Sequence, residues 1–149
     1  MQKKLLKQEY GIPYINKIRI MNYIKAFLLG VLVWLAVSIT FFIMENVPAI
    51  KDLLVAQAVA IIIAMVFYTI MSAAIYYRRE NKPNGLVLGV VIAGTALLLD
   101  VLITVPFIEI PNGRGYRSFF SNPLLWVLVN ITIFSVYFYW RQKIRERNN

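Results

Sequence analysis

Apolar residues gather in four long runs separated by short polar segments, a pattern with neither the strict alternation of a half-buried strand nor the one-sided stripe of a soluble helix. The first run, 26–44 (AFLLGVLVWLAVSITFFIM), carries no charge over 19 positions. As an α-helix it is roughly 28 Å long, about one hydrocarbon thickness. It exceeds the roughly 7–15 apolar residues of a signal-peptide core, so an uncleaved span is expected. The second run, 53–77, has 25 residues and no charge; its last turn belongs in the interface, or the helix tilts. The third, 86–108, is interrupted by one charge, Asp100. The fourth, 123–140, opens at Pro123 behind Asn122, an N-cap followed by a residue favoured at the first helical position. It closes on Tyr137, Phe138, Tyr139 and Trp140, an aromatic group of the kind that settles at headgroup level. These runs predict an all-α integral membrane four-helix bundle of antiparallel up-down topology, with 1–149 forming a single membrane domain.

Composition removes the alternatives. Sixty per cent of the 149 residues are apolar and 15% are charged, whereas soluble domains hold roughly 45–50% apolar residues. Histidine and cysteine are both absent, which excludes His-ligated haem, most zinc sites, disulfides, thiol nucleophiles and Ser-His-Asp hydrolysis. No lysine lies within a span to act as a base, and neither HExxH nor GxSxG occurs. No enzyme, cofactor or metal site is expected.

The charge distribution predicts an orientation. Thirteen of the sixteen Lys and Arg residues lie before the first span, between the second and third, or after the fourth. Only Lys51, Arg114 and Arg117 lie on the other side. Cations near span ends are retained in the cytoplasm. Both termini are therefore expected inside, in a cell inner membrane, with outer loops at 45–52 and 109–122 and a basic tail at 141–149. The net charge of +9 then serves topology and anionic headgroups on the cytoplasmic face, and nucleic acid is not an expected partner.

Residues 1–25 read as a cytoplasmic or interfacial segment, broken at Gly11 and Pro13. Apolar Tyr14, Ile15, Ile18 and Met21 then alternate with Lys17, Arg19, Asn22 and Lys25 at amphipathic spacing. The inner loop RRENKPNG ends in turn formers that stop span two and start span three within a few residues, which predicts that those two helices pack antiparallel against one another. The outer loop EIPNGRGYRSFFSN is the candidate lid. Leu29-Gly30-Val31 and Leu88-Gly89-Val90 open spans one and three alike, too short a match to establish duplication.

Asp100 is the leading candidate for chemistry. A carboxyl in hydrocarbon costs about 2.5–3.5 kcal/mol on the insertion scale, so it belongs on the bundle interior. Gly85, Gly89, Ala93, Ala96, Asp100 and Thr104 recur at steps of three and four, a stripe of small residues leading to the acid that predicts close helix contact. Counting helical rise puts Asp100 and Asn130 roughly 12 and 10 Å below the outer boundary, with Ser38 and Gln57 roughly 9 and 6 Å below it. Glu45 shares a helical face with Trp34, Ser38 and Phe41, close to Lys51, Arg114 and Arg117. Together these residues predict an outward-facing polar pocket for a proton, a cation or a small amphipathic ligand. The competing reading makes Asp100 structural glue paired to Asn130.

The strings YIKAFLLGVLVWLAV (23–37), ALLLDVLITVPFIEIPNG (96–113) and FFSNPLLW (119–126) resemble bacterial families of small four-helix membrane proteins of unassigned function. The resemblance implies a bacterial cytoplasmic membrane and brings no activity with it. Two functions from different classes follow. One is a binding or transport module, forming a homo-oligomer, with its site at Asp100. The other is an accessory subunit or assembly factor of a larger membrane complex.

Overall fold

A computed structural model describes the backbone of residues 2–48, 53–78 and 84–148, with side chains from Asn22 onward except 144, 145 and 147–149. The chain forms helices α1 (Gln2–Asn46), α2 (Leu54–Tyr77), α3 (Gly85–Leu99), a π-helical segment (Asp100–Glu109) continuous with α3, a short α4 (Tyr116–Phe120) and α5 (Pro123–Asn148). Four of them are long and apolar enough to cross a membrane, over Asn22–Asn46, Leu54–Tyr77, Gly85–Glu109 and Pro123–Lys143. Only 11–28% of each span's most apolar window is buried by the rest of the chain. The remainder is apolar surface that water would not cover, and the protein is a multi-pass helical membrane protein.

Caps mark two of the helix starts. Asn84 accepts from the Leu86 N–H at 3.1 Å ahead of α3, and Asn122 accepts from the Leu124 N–H at 3.0 Å ahead of α5. Each satisfies one of the backbone donors that a helix N-terminus leaves over. The break expected at Gly11 and Pro13 is not a helix end, because the backbone is helical from Gln2 to Asn46. The amphipathic face assigned to Tyr14, Ile15, Ile18 and Met21 lies outside the described side chains, and Lys51 lies outside the described residues.

The neighbours around the bundle are α1 with α3, α3 with α5, α5 with α2, and α2 with α1. Spans two and three therefore do not pack side by side; among the described residues they make no contact and face one another across the diagonal. The linker permits this. Seven steps separate Arg78 from Gly85, a reach of up to about 3.3–3.6 Å each. Neighbouring helices sit about 8–10 Å apart, so the diagonal is well within range. Turn residues set how a loop begins and ends; they do not choose a packing partner.

Val33, Ile61, Leu88, Ile92 and Val136 lie at the centre of the core, all but fully buried, with Ala26, Leu29, Met65, Ala73 and Leu128 around them. One end of the bundle gathers Asn22, Tyr76, Gly85 and Trp140. There the Tyr76 hydroxyl donates to the Asn22 carbonyl at 3.4 Å, and the rings of Tyr77 and Tyr139 stack at 6.5 Å. This is the basic end, and the loop carrying α4 closes the other.

Candidate functional site

Two glycines bring α3 against α5. A Cβ added at Gly89 would lie 2.9 Å from Ile133 Cα and 3.0 Å from its carbonyl oxygen; one at Gly85 would lie 2.6 Å from Trp140 Cβ. A third, Gly30, brings α1 against α3, where a Cβ would lie 2.7 Å from Thr95 Cβ. Ala93 is buried among them and Ala96 is half-buried. With α3 held closely on both sides, the next turn delivers Asp100 to the seam with α1.

There the Trp34 indole donates from Nε1 to Asp100 Oδ1 at 2.9 Å, and the Thr104 hydroxyl donates to the same oxygen at 2.7 Å. Oδ2 receives no hydrogen bond from the described residues. Trp34 stands twelve residues from both Asn22 and Asn46, the limits of the first span. The site is thus roughly 18 Å from either end of that span, near its middle.

Asp100 also opens the π-helical segment. Its own N–H is shared between the carbonyls of Ala96 and Leu97, whereas by the end of the segment the Ile110 N–H reaches Val105 O at 2.9 Å, an i→i−5 bond. Pro106 lies inside the segment and has no N–H. In this hydrogen-bond pattern its absent bond would have gone to the carbonyl of Val101. The Tyr116 hydroxyl donates to that carbonyl at 3.2 Å. The Trp126 indole donates to Phe120 O at 2.9 Å, so α4 is strapped to the π segment at one end and to α5 at the other. π turns concentrate at functional sites, because they rotate side chains away from the α-helical register.

The other expected members of the pocket go elsewhere. Asn130 does not pair with Asp100: it is exposed, its Nδ2 donates to the Trp126 carbonyl at 2.8 Å, and it lines a groove of about 500 Å³ with Val66 of α2. Ser38 is half-buried one turn along α1 from Trp34, with no hydrogen bond to Asp100. Gln57 is half-buried on α2, which does not touch α3, and Glu45 is exposed. Arg114 pairs with Glu109 at 2.9 Å rather than with Glu45. Four helices therefore do not converge on one pocket. Equal depth along parallel axes fixes the height of a side chain and leaves its direction around the helix open.

Trp34 is the partner that sequence reasoning missed, and a signal for it exists. A tryptophan at mid-span cannot belong to a headgroup belt, so its N–H needs an acceptor inside the bundle. Asp100 is the one acid within the apolar runs 26–44, 53–77, 86–108 and 123–140. Two further polar groups in the core have no hydrogen-bond partner among the described residues: Thr69 Oγ1 and Ser72 Oγ of α2, both fully buried.

Fold and site together define a small multi-pass helical membrane protein with a single carboxyl held between two spans. The model of DUF5367, a family of unknown function, matches residues 41–143, and the chain belongs to that family. The match takes in Asp100, Thr104, α4 and most of α5, and begins after Trp34. No curated protein and no solved structure matches the chain.

Proposed function

We propose that the protein is a membrane binding module in which the Asp100 carboxyl takes up a proton or a small cation at the seam of α1 and the π segment. One observation supports this above others: both donors, Trp34 and Thr104, converge on Oδ1. A carboxyl serving only as helix glue would spread its acceptors over its donors, whereas here one oxygen is fixed in place and the other is left to bind. In the neutral acid Oδ1 is the carbonyl oxygen and Oδ2 carries the proton; in the carboxylate Oδ2 is the contact for a cation. The chemistry proposed is binding: the two described side chains that touch the carboxyl, Trp34 and Thr104, both act as donors to it.

Infrared spectroscopy of the protein in liposomes tests this reading. The wild type is expected to show a carboxylic-acid carbonyl band that changes with pH or with added monovalent cation. Asp100→Asn is expected to lack that component while keeping the helical amide bands. A folded wild type whose difference spectrum against Asp100→Asn responds to neither pH nor cations would overturn the proposal and favour the accessory-subunit reading.

The basic end is proposed to face the cytoplasm of a bacterial inner membrane, because thirteen of sixteen cations flank it. The chain has no cysteine, so single thiols report cleanly, and Ser118 and Asn84 are both exposed at opposite ends. In intact cells an impermeant maleimide is expected to label Ser118→Cys and to spare Asn84→Cys until the cells are lysed. The reverse pattern would invert the orientation.

A further inference from the structure

We infer that the face of α5 carrying Asn130 is a dimer interface, covered by the same face of a second copy of this chain. Asn130 is exposed although it lies seven residues inside the fourth span, roughly 10 Å from its Pro123 end. It lines the groove between α5 and α2 together with Trp126, Val127 and Phe134, and Ser135 adds a hydroxyl to the same lining. One amide N–H is spent on the Trp126 carbonyl; among the described residues Oδ1 accepts nothing and the second N–H donates to nothing. Acyl chains offer neither donor nor acceptor, so a lipid-covered Asn130 leaves both groups unsatisfied. Whatever covers this face has to bring a polar group to the same depth.

A second copy does so by symmetry. Two copies inserted in the same orientation are related by a two-fold axis along the membrane normal, which keeps each residue at its own depth and sets Asn130 opposite Asn130. The carboxamide is donor and acceptor at once. Each copy gives its remaining N–H to the other's Oδ1, and the groove beside it receives the partner's apolar side chains. A single buried Asn is an established way of fixing register between paired helices. The interface is separate from the Asp100 site, which lies at the seam with α1, a helix that makes no contact with α5.

Cross-linking in native membranes tests the inference. Val127→Cys and Phe134→Cys place single thiols on the proposed face and leave Asn130 intact, and a short bismaleimide is expected to link each into a dimer of this chain. Ile39→Cys, 57% exposed on α1 and seven residues from its Asn46 end, is the control expected to stay monomeric. In the Val127→Cys background, Asn130→Leu is expected to shift the midpoint of dissociation on dilution with lipid by about 8- to 300-fold, the range for the two symmetry-related interhelical hydrogen bonds it removes, and Asn130→Gln to restore it. Equal linking at Ile39→Cys, no linking at either α5 position, a link to a different protein, or no effect of Asn130→Leu would each overturn the proposal.

Discussion

Replacing Gly89 with leucine is expected to lower the thermal midpoint of the bundle sharply, while replacing Gly94 with alanine leaves it at least as stable. The two glycines are five residues apart on one helix and meet opposite surroundings. At Gly89 the first added carbon already meets the backbone of Ile133, at 2.9 Å from Cα and 3.0 Å from the oxygen. Backbone cannot rotate away as a side chain does, so α3 and α5 have to separate. Separation loosens Gly85 from Trp140 in the same seam. Overpacking a close contact costs roughly 1–3 kcal/mol and occasionally more, and a leucine against backbone belongs at the upper end. At Gly94 nothing lies within 4 Å of an added carbon. Thermal unfolding in detergent is the measurement. Gly89→Ala is expected to fall between the two, and equal midpoints for Gly89→Leu and wild type would mean that α3 and α5 do not approach as described.

The spans are legible in the sequence because a helix that crosses hydrocarbon has to be long and apolar, and both properties are visible residue by residue. Neighbour order is not legible for the same reason. Lipid and a packed helix call for the same Leu, Val and Ile side chains, so a helix apolar on every side does not announce which side meets a partner. Glycine is the exception. Gly89 and Gly30 stand in matching Leu-Gly-Val settings, and in both an added Cβ would collide with a neighbouring helix, although Gly94 on the same α3 faces open space. The carboxyl at Asp100 stands out because its position is costly, and its partner was open to deduction from Trp34 standing at mid-span. Its second neighbour, Thr104, follows from i,i+4 spacing. The π-helical segment is less accessible. Pro106 signals a disturbed hydrogen-bond ladder, but which carbonyl is left over depends on the register adopted, and only the Tyr116 contact to Val101 reveals it.

Asp100→Asn is expected to be more stable than Asp100→Leu by about 1–3 kcal/mol, the cost of leaving one buried hydrogen-bonding group without its partner. Comparing these two variants, rather than either with the wild type, cancels the cost of holding an ionisable carboxyl in hydrocarbon, which both remove. What remains is the acceptor, less the cost of placing the carboxamide N–H groups where Oδ2 stood, so that range is an upper bound. Asparagine keeps an Oδ1 in the place where Trp34 and Thr104 donate at 2.9 and 2.7 Å, and leucine of similar bulk keeps none. The two donors then differ in their recourse. Thr104 can turn its hydroxyl to a carbonyl one turn back, as Thr95 does towards Val91 and Thr132 towards Leu128. The Trp34 N–H is fixed in the plane of its ring and has no such alternative. The penalty therefore falls on Trp34, and its emission is expected to shift to shorter wavelength in Asp100→Leu but not in Asp100→Asn, read in a background where Trp126 and Trp140 are phenylalanine. If leucine matches asparagine in midpoint and in emission, the bond from Trp34 to Asp100 does not hold α1 to the π segment.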